Sequence, residues 1–113
     1  MFPELKRLTS PDLEHGTLPP NPKDCLVFLE AEIGSGEMEA ADIFGFTVVT
    51  PKAVAKCRGR HWGRGYLLLP EFTWEEVEQA LSRLLAQCVG PSWQEIAWRL
   101  NKELLWEFDG YRE

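Results

Sequence analysis

From Leu26 to Ile33 the chain alternates. Val27, Leu29, Ala31 and Ile33 fall on one side, and Phe28, Glu30 and Glu32 on the other. A period of two predicts a half-buried antiparallel strand. Gly34-Ser35-Gly36 supplies a turn. The alternation resumes from Asp42 to Val49, with Phe44, Phe46 and Val48 on one face, so the two segments predict a hairpin. Its turn and flank are acidic through Glu37, Glu39 and Asp42. A weaker strand pattern runs from Glu4 to Ser10 and is broken by Ser10-Pro11-Asp12. Pro19, Pro20 and Pro22 then impose an extended connector, because they lack N–H donors and disfavour helix before them.

The period changes after Val49. Thr50-Pro51 combines a good N-cap with a proline at the first helical position, and predicts a short helix to about Cys57. A glycine-rich basic loop follows, from Arg58 to Gly65. Tyr66 to Leu69 is apolar at every position, which suits a central strand. Thr73-Trp74-Glu75-Glu76-Val77 and Ser92-Trp93-Gln94-Glu95-Ile96 repeat one design, a hydroxyl three residues before a glutamate. The hydroxyl accepts from an orphan N–H of the first turn, so each marks a helix start. The first of these helices carries Trp74, Val77, Leu81, Leu84, Leu85 and Cys88 on one side and ends before Gly90-Pro91, with Gly90 expected in a left-handed conformation. The second carries Trp93, Ile96, Ala97, Leu100 and Leu104. The ending, Leu105-Trp106-Glu107-Phe108, is aromatic enough to pack back on the domain.

These elements predict an α+β fold: an antiparallel sheet of about four strands with helices on one face, in the order β-β-β-α-β-α-α. A chain of 113 residues makes a single domain, spanning 1–113, and needs no disulfide or metal staple. Cys25, Cys57 and Cys88 are odd in number and widely spaced, which fits a reducing cytoplasm. No stretch approaches the ~20 apolar residues of a membrane span, and the N-terminal residues contain no apolar run suited to a signal peptide.

Charge changes the picture. Residues 1–50 carry Lys6, Arg7 and Lys23 against nine acidic residues, so the whole formal charge of −6 belongs to that half. An acidic face repels nucleic acid and favours a basic partner, although an ordinary solubilising surface has the same composition. Catalytic patterns are missing: His15 and His61 are the only histidines, and no HExxH, GxSxG or phosphate-loop motif occurs. A Cys57–His61 pair would face each other only if the helix ran through Gly59. Glu75, Glu76 and Glu78 sit in a first helical turn, where the helix dipole favours acid. The cofactor and metal expectation is therefore none. The loop's arginines and Trp62 resemble RNA-binding segments, but three arginines in an acidic chain weigh against phosphate binding. Arg60 and Trp62 suit a protein contact better, because these residue types concentrate in interface hot spots. Trp98 lies about 140° around its helix from Trp93, off the apolar stripe. It would meet another protein, a second copy of this chain, or the aromatic ending.

The run Thr50-Pro51-Lys52, Gly65-Tyr66-Leu67-Leu68-Leu69 and Phe72-Thr73-Trp74-Glu75-Glu76-Val77 resembles immunity protein family 8 of bacterial polymorphic toxin systems. So does Cys88-Val89-Gly90-Pro91-Ser92-Trp93-Gln94-Glu95-Ile96 with the ending Trp106-Glu107-Phe108-Asp109-Gly110-Tyr111-Arg112. The likeness runs from Leu26 onward. The basic loop departs from the family pattern in being longer and richer in glycine and arginine. The resemblance implies a non-enzymatic cytoplasmic protein that binds and neutralises a cognate toxin, and it carries over no active site. A basic toxin such as a nuclease would suit the acidic hairpin. The residues singled out for toxin contact are Glu30, Glu32, Glu37, Glu39, Asp42, Arg60, Trp62 and Trp98. The competing readings are a small regulatory or assembly subunit, and an enzyme or small-ligand module with a pocket around His61 or Cys57.

Overall fold

In a computed structural model, residues 1–56 and 64–109 are described. They form β1 (Pro3–Thr9), β2 (Leu26–Ser35), β3 (Asp42–Val49), α1 (Pro51–Ala55), β4 (Tyr66–Leu68), α2 (Trp74–Gln87), α3 (Trp93–Leu100) and β5 (Leu105–Trp106). The α+β class and the predicted order hold, with one strand added at the end. The sheet runs β1-β2-β3-β4, and β5 pairs β3 beside β4. β1, β2 and β3 form an antiparallel meander; β4 is parallel to β3 and β5 antiparallel to it.

The hairpin alternation survives in the register. Val27, Leu29, Ala31 and Ile33 of β2 and Phe44, Phe46 and Val48 of β3 are buried on one face. They share a core with Trp74, Val77, Leu81 and Leu85 of α2 and with Ile96, Ala97 and Leu100 of α3. Helices α2 and α3 therefore cover one face of the sheet, as their stripes predicted. β2 continues through Gly34 and Ser35, because Pro3 and Glu4 of β1 pair with them, and the turn starts at Gly36, two residues later than expected. Removing water from this core is the main stabilising term, at ~25 cal/mol per Å² of apolar surface.

Both duplicated caps form. Thr73 Oγ1 accepts from Glu76 N at 3.1 Å, and Ser92 Oγ accepts from Glu95 N at 3.2 Å. Neither box shows the reciprocal glutamate contact, and the Glu95 carboxylate instead accepts from Arg99 at 2.9 Å.

Three local expectations change. β4 is an edge strand, not a central one: Leu67 turns toward the core while Tyr66 and Leu68 are exposed on the opposite face. The run is apolar on both sides because the uncovered side of the sheet is itself apolar there. Gly90 is not left-handed; α2 ends at Cys88, with φ −108 and ψ 46, and Gly90 N donates to Met1 O. The aromatic ending does pack back, as a strand: Trp106 pairs with Phe44 and Leu105 with Gly45, and the Trp106 and Phe44 rings stack at 6.3 Å.

Candidate interaction surface

The register sorts the candidate contact residues onto surfaces. Side chains of directly paired residues share a face. One row across the uncovered face is therefore Arg7–Glu32–Ile43, the next Thr9–Glu30–Gly45–Leu105, the next Phe28–Thr47–Tyr66, and the last Leu26–Val49–Leu68. Glu30 and Glu32 thus stand on the face opposite α2 and α3. Glu37 and Glu39 are exposed in the turn at the end of the same strands. Arg7 Nε lies 3.8 Å from Glu32 Oε2, whereas no described cation sits within ion-pair distance of Glu30, Glu37 or Glu39.

Apolar side chains continue the face from Glu30 toward β4. Leu26 (52% exposed), Phe28 (36%), Leu68 (61%) and Leu105 (42%) all keep substantial contact with solvent. Gly45 makes this region flat. A Cβ there would lie 2.9 Å from Phe28 Cζ, so the ring reaches across the glycine, whose own backbone runs close to Leu105. Gly65, in the left-handed region at φ +89, seats the Leu105 side chain in the same way.

Asp42 belongs elsewhere. It pairs with Ile33 on the helix-covered face, and its Oδ2 accepts from Trp93 Nε1 at 2.9 Å and Trp106 Nε1 at 3.0 Å. One carboxylate thereby ties the start of β3 to the start of α3 and to β5. Its position follows from parity, since Asp42 is in phase with Phe44 and Phe46 and out of phase with Glu30's row. Trp98 stands on the outer side of α3, 61% exposed, with Lys102 Nζ 4.9 Å from its ring centroid. The tail packs on Phe44 through Trp106, and Phe108 meets Trp106 edge-on. Arg60 and Trp62 lie outside the described residues, as do Cys57 and His61. The C-terminal end of their loop is held by Arg64, which donates to Asn101 O at 2.6 Å and to Asp109 Oδ2 at 2.7 Å.

Nothing described has the features of a reactive centre. Burial pushes the Cys25 thiol up, helped by the Asp24 charge, and burial also raises Cys88, so both thiols are poorer nucleophiles than a free cysteine. The His15 ring lies tilted against Trp74, centroids 4.5 Å apart, and meets Glu78 at 3.3 Å, which fastens the proline-rich connector to α2. A cleft of about 380 Å³ between α2 and the β4 edge is lined by Leu67, Leu84, Arg83 and Glu103 among others, with no histidine or cysteine. Among the described residues, no group of three or more His, Cys, Asp or Glu side chains is placed to hold a metal ion. Among the described residues, no helix is long and apolar enough to cross a membrane.

A family model described as Immunity protein 8 matches residues 4–111. The chain belongs to the Immunity protein 8 family. The match takes in β1 and the connector as well as the region from Leu26 onward that carried the resemblance. No curated protein and no solved structure matches significantly. Membership in an immunity family implies that the physiological ligand is a cognate toxin.

Proposed function

We propose that this Immunity protein 8 member works in the bacterial cytoplasm, where it binds and neutralises the toxin of a polymorphic toxin system. It does so by covering a basic surface of the toxin, as the nucleic-acid groove of a nuclease would present. The observation that carries this reading is the acidic end of the hairpin. Glu30, Glu37 and Glu39 have no described cation within ion-pair distance, Glu32 has only a long contact to Arg7, and the full charge of −6 resides in residues 1–50. Carboxylates with no close cation among the described residues raise the encounter rate with a cationic partner and help fix its orientation. They act without chemistry, so the reading requires no catalytic residue and no cofactor. Asp42 is left out of the surface because two indoles already occupy its carboxylate.

The test is co-expression with the protein encoded in the adjacent reading frame. Growth arrest caused by that protein alone, relieved by this one, is the expected result. In purified form, changing Glu30, Glu32, Glu37 and Glu39 together to Gln should slow association by about tenfold or more at low salt and flatten its salt dependence. An association rate and salt slope equal to wild type would remove the electrostatic part of the reading.

A further inference from the structure

Leu26, Phe28, Leu68 and Leu105, on the uncovered sheet face, lie outside the hydrophobic core, although Val49 between Leu26 and Leu68 is buried. Leu26 and Phe28 come from β2, and Leu68 and Leu105 from β4 and β5; the register puts the two pairs on either side of β3, about 10 Å apart, with Gly45, Thr47 and Val49 between them. A two-layer fold hides one side of its sheet, and the second side ordinarily carries polar residues. Here charged residues occupy the β1 side of that face, and Thr47 is the polar residue among the apolar ones on β3. Adjoining apolar residues on an otherwise acidic face mark a contact site.

The surroundings specify the occupant. Glu30 sits half-buried in the row beside Phe28, between Thr9 and Gly45, with no described cation near it. Gly45 offers no side chain, so a group lying on the Phe28 ring has an unobstructed path to the Glu30 carboxylate. An arginine fits both features: its planar guanidinium stacks on an aromatic ring and pairs with a carboxylate. A second copy of this chain fits poorly. Face-to-face pairing would set Glu30 and Glu32 against like charge, and Arg7, the cation of this face, already lies beside Glu32.

We infer that the centre of the binding site is the apolar sheet patch around Phe28, and that it receives an apolar surface of the toxin bearing an arginine that reaches Glu30. This rests on the immunity reading and deepens it. The acidic turn guides the approach, while the patch, which excludes water once covered, holds the complex. Phe28 is the anchor because its ring is braced over Gly45 and lies nearest Glu30. Trp98, alone on the far side of α3, lies outside the contact.

The experiment titrates the adjacent-frame protein, in an inactivated form, against wild type and single variants by calorimetry. Phe28→Ala should weaken binding ~30-fold or more, as removal of an aromatic anchor does. Leu68→Asp should weaken it ~10-fold, and Trp98→Ala less than twofold. All three side chains are exposed, so circular dichroism and Tm should stay near wild type. Should Phe28→Ala unfold the protein, Leu68→Asp and Glu30→Gln carry the test alone, and Glu30→Gln should lose ~10-fold. Failure of wild type to bind would sink the immunity reading itself. Wild-type binding that is unchanged by Leu68→Asp and Glu30→Gln, or lost with Trp98→Ala, would overturn the surface assigned here and leave that reading intact. A wild-type dimer by light scattering, dissolved by Leu68→Asp, would also overturn it, by giving the patch to a second copy.

Discussion

Replacing Asp42 with alanine separates packing from recognition at the most connected polar group of the molecule. The Asp42 carboxylate accepts two indole N–H bonds, at 2.9 Å from Trp93 and 3.0 Å from Trp106. Both indoles are half-buried, so water reaches an orphaned N–H only in part. A hydrogen bond to a charged acceptor contributes ~1.5–3 kcal/mol when buried. Partial exposure brings each here to ~1 kcal/mol, and Asp42→Ala should destabilise by ~2 kcal/mol. At ~4 °C per kcal/mol for a domain of this size, Tm should fall ~8 °C. Asp42→Asn keeps an acceptor oxygen without the charge and should lose about half as much. The loss has a spectroscopic signature, since Trp93 and Trp106 flank Phe44 and their near-ultraviolet signal depends on being held there. Urea unfolding followed by fluorescence measures the free energy, and a cycle with Trp93→Phe should return a coupling of ~1 kcal/mol. If Asp42→Ala stayed within ~0.5 kcal/mol of wild type, the carboxylate would not be the tie between β3, α3 and β5. If it instead weakened toxin binding with stability intact, Asp42 would belong to the contact surface after all.

Loss of either duplicated cap tests the helix starts. Thr73→Ala and Ser92→Ala should each cost ~1 kcal/mol in urea unfolding, and the corresponding glycine variants only a few tenths. Gly45→Ala puts a methyl 2.9 Å from the Phe28 ring. The ring is half-exposed and can swing away, so stability should fall by only ~1 kcal/mol. Toxin affinity, measured by calorimetry, should fall about as far as in Phe28→Ala. Equal affinity for Gly45→Ala and wild type would mean that the position of the ring is irrelevant.

The parts of the fold legible in the sequence are those governed by local periodicity. The parity of Val27 through Ile33 and of Phe44 through Val48 fixes a hairpin with one buried face, and the hydroxyl–Trp–Glu repeats fix two helix starts to the residue. What escaped depends on partners distant in sequence. β5 is two residues long and exists because Phe44 and Gly45 offer an edge. β4 reads as central because sequence does not reveal whether a second apolar face is covered or bare. Parity along the strands also carries two placements. Asp42 shares the phase of Phe44 and Phe46, which places it among the helix-facing positions. Leu26 and Phe28 share the phase of Glu30 and Glu32, which makes them large apolar residues on the solvent side.

That second placement bears on how such a protein tolerates its own surface. An uncovered apolar sheet face invites self-association, above all beside an edge strand as short as β4. Here the face is bounded by Glu30 and Glu32 along one side and leads to Glu37 and Glu39 at the turn. These carboxylates penalise a like-charged copy and attract a cationic toxin, so one arrangement of charge serves both solubility and choice of partner. The core is unaffected by that choice, because the exposed residues of the face point away from it. Substitutions on the face can therefore retune specificity toward a different toxin at little cost in stability, whereas substitutions at Asp42, one strand position away and on the other side, cannot.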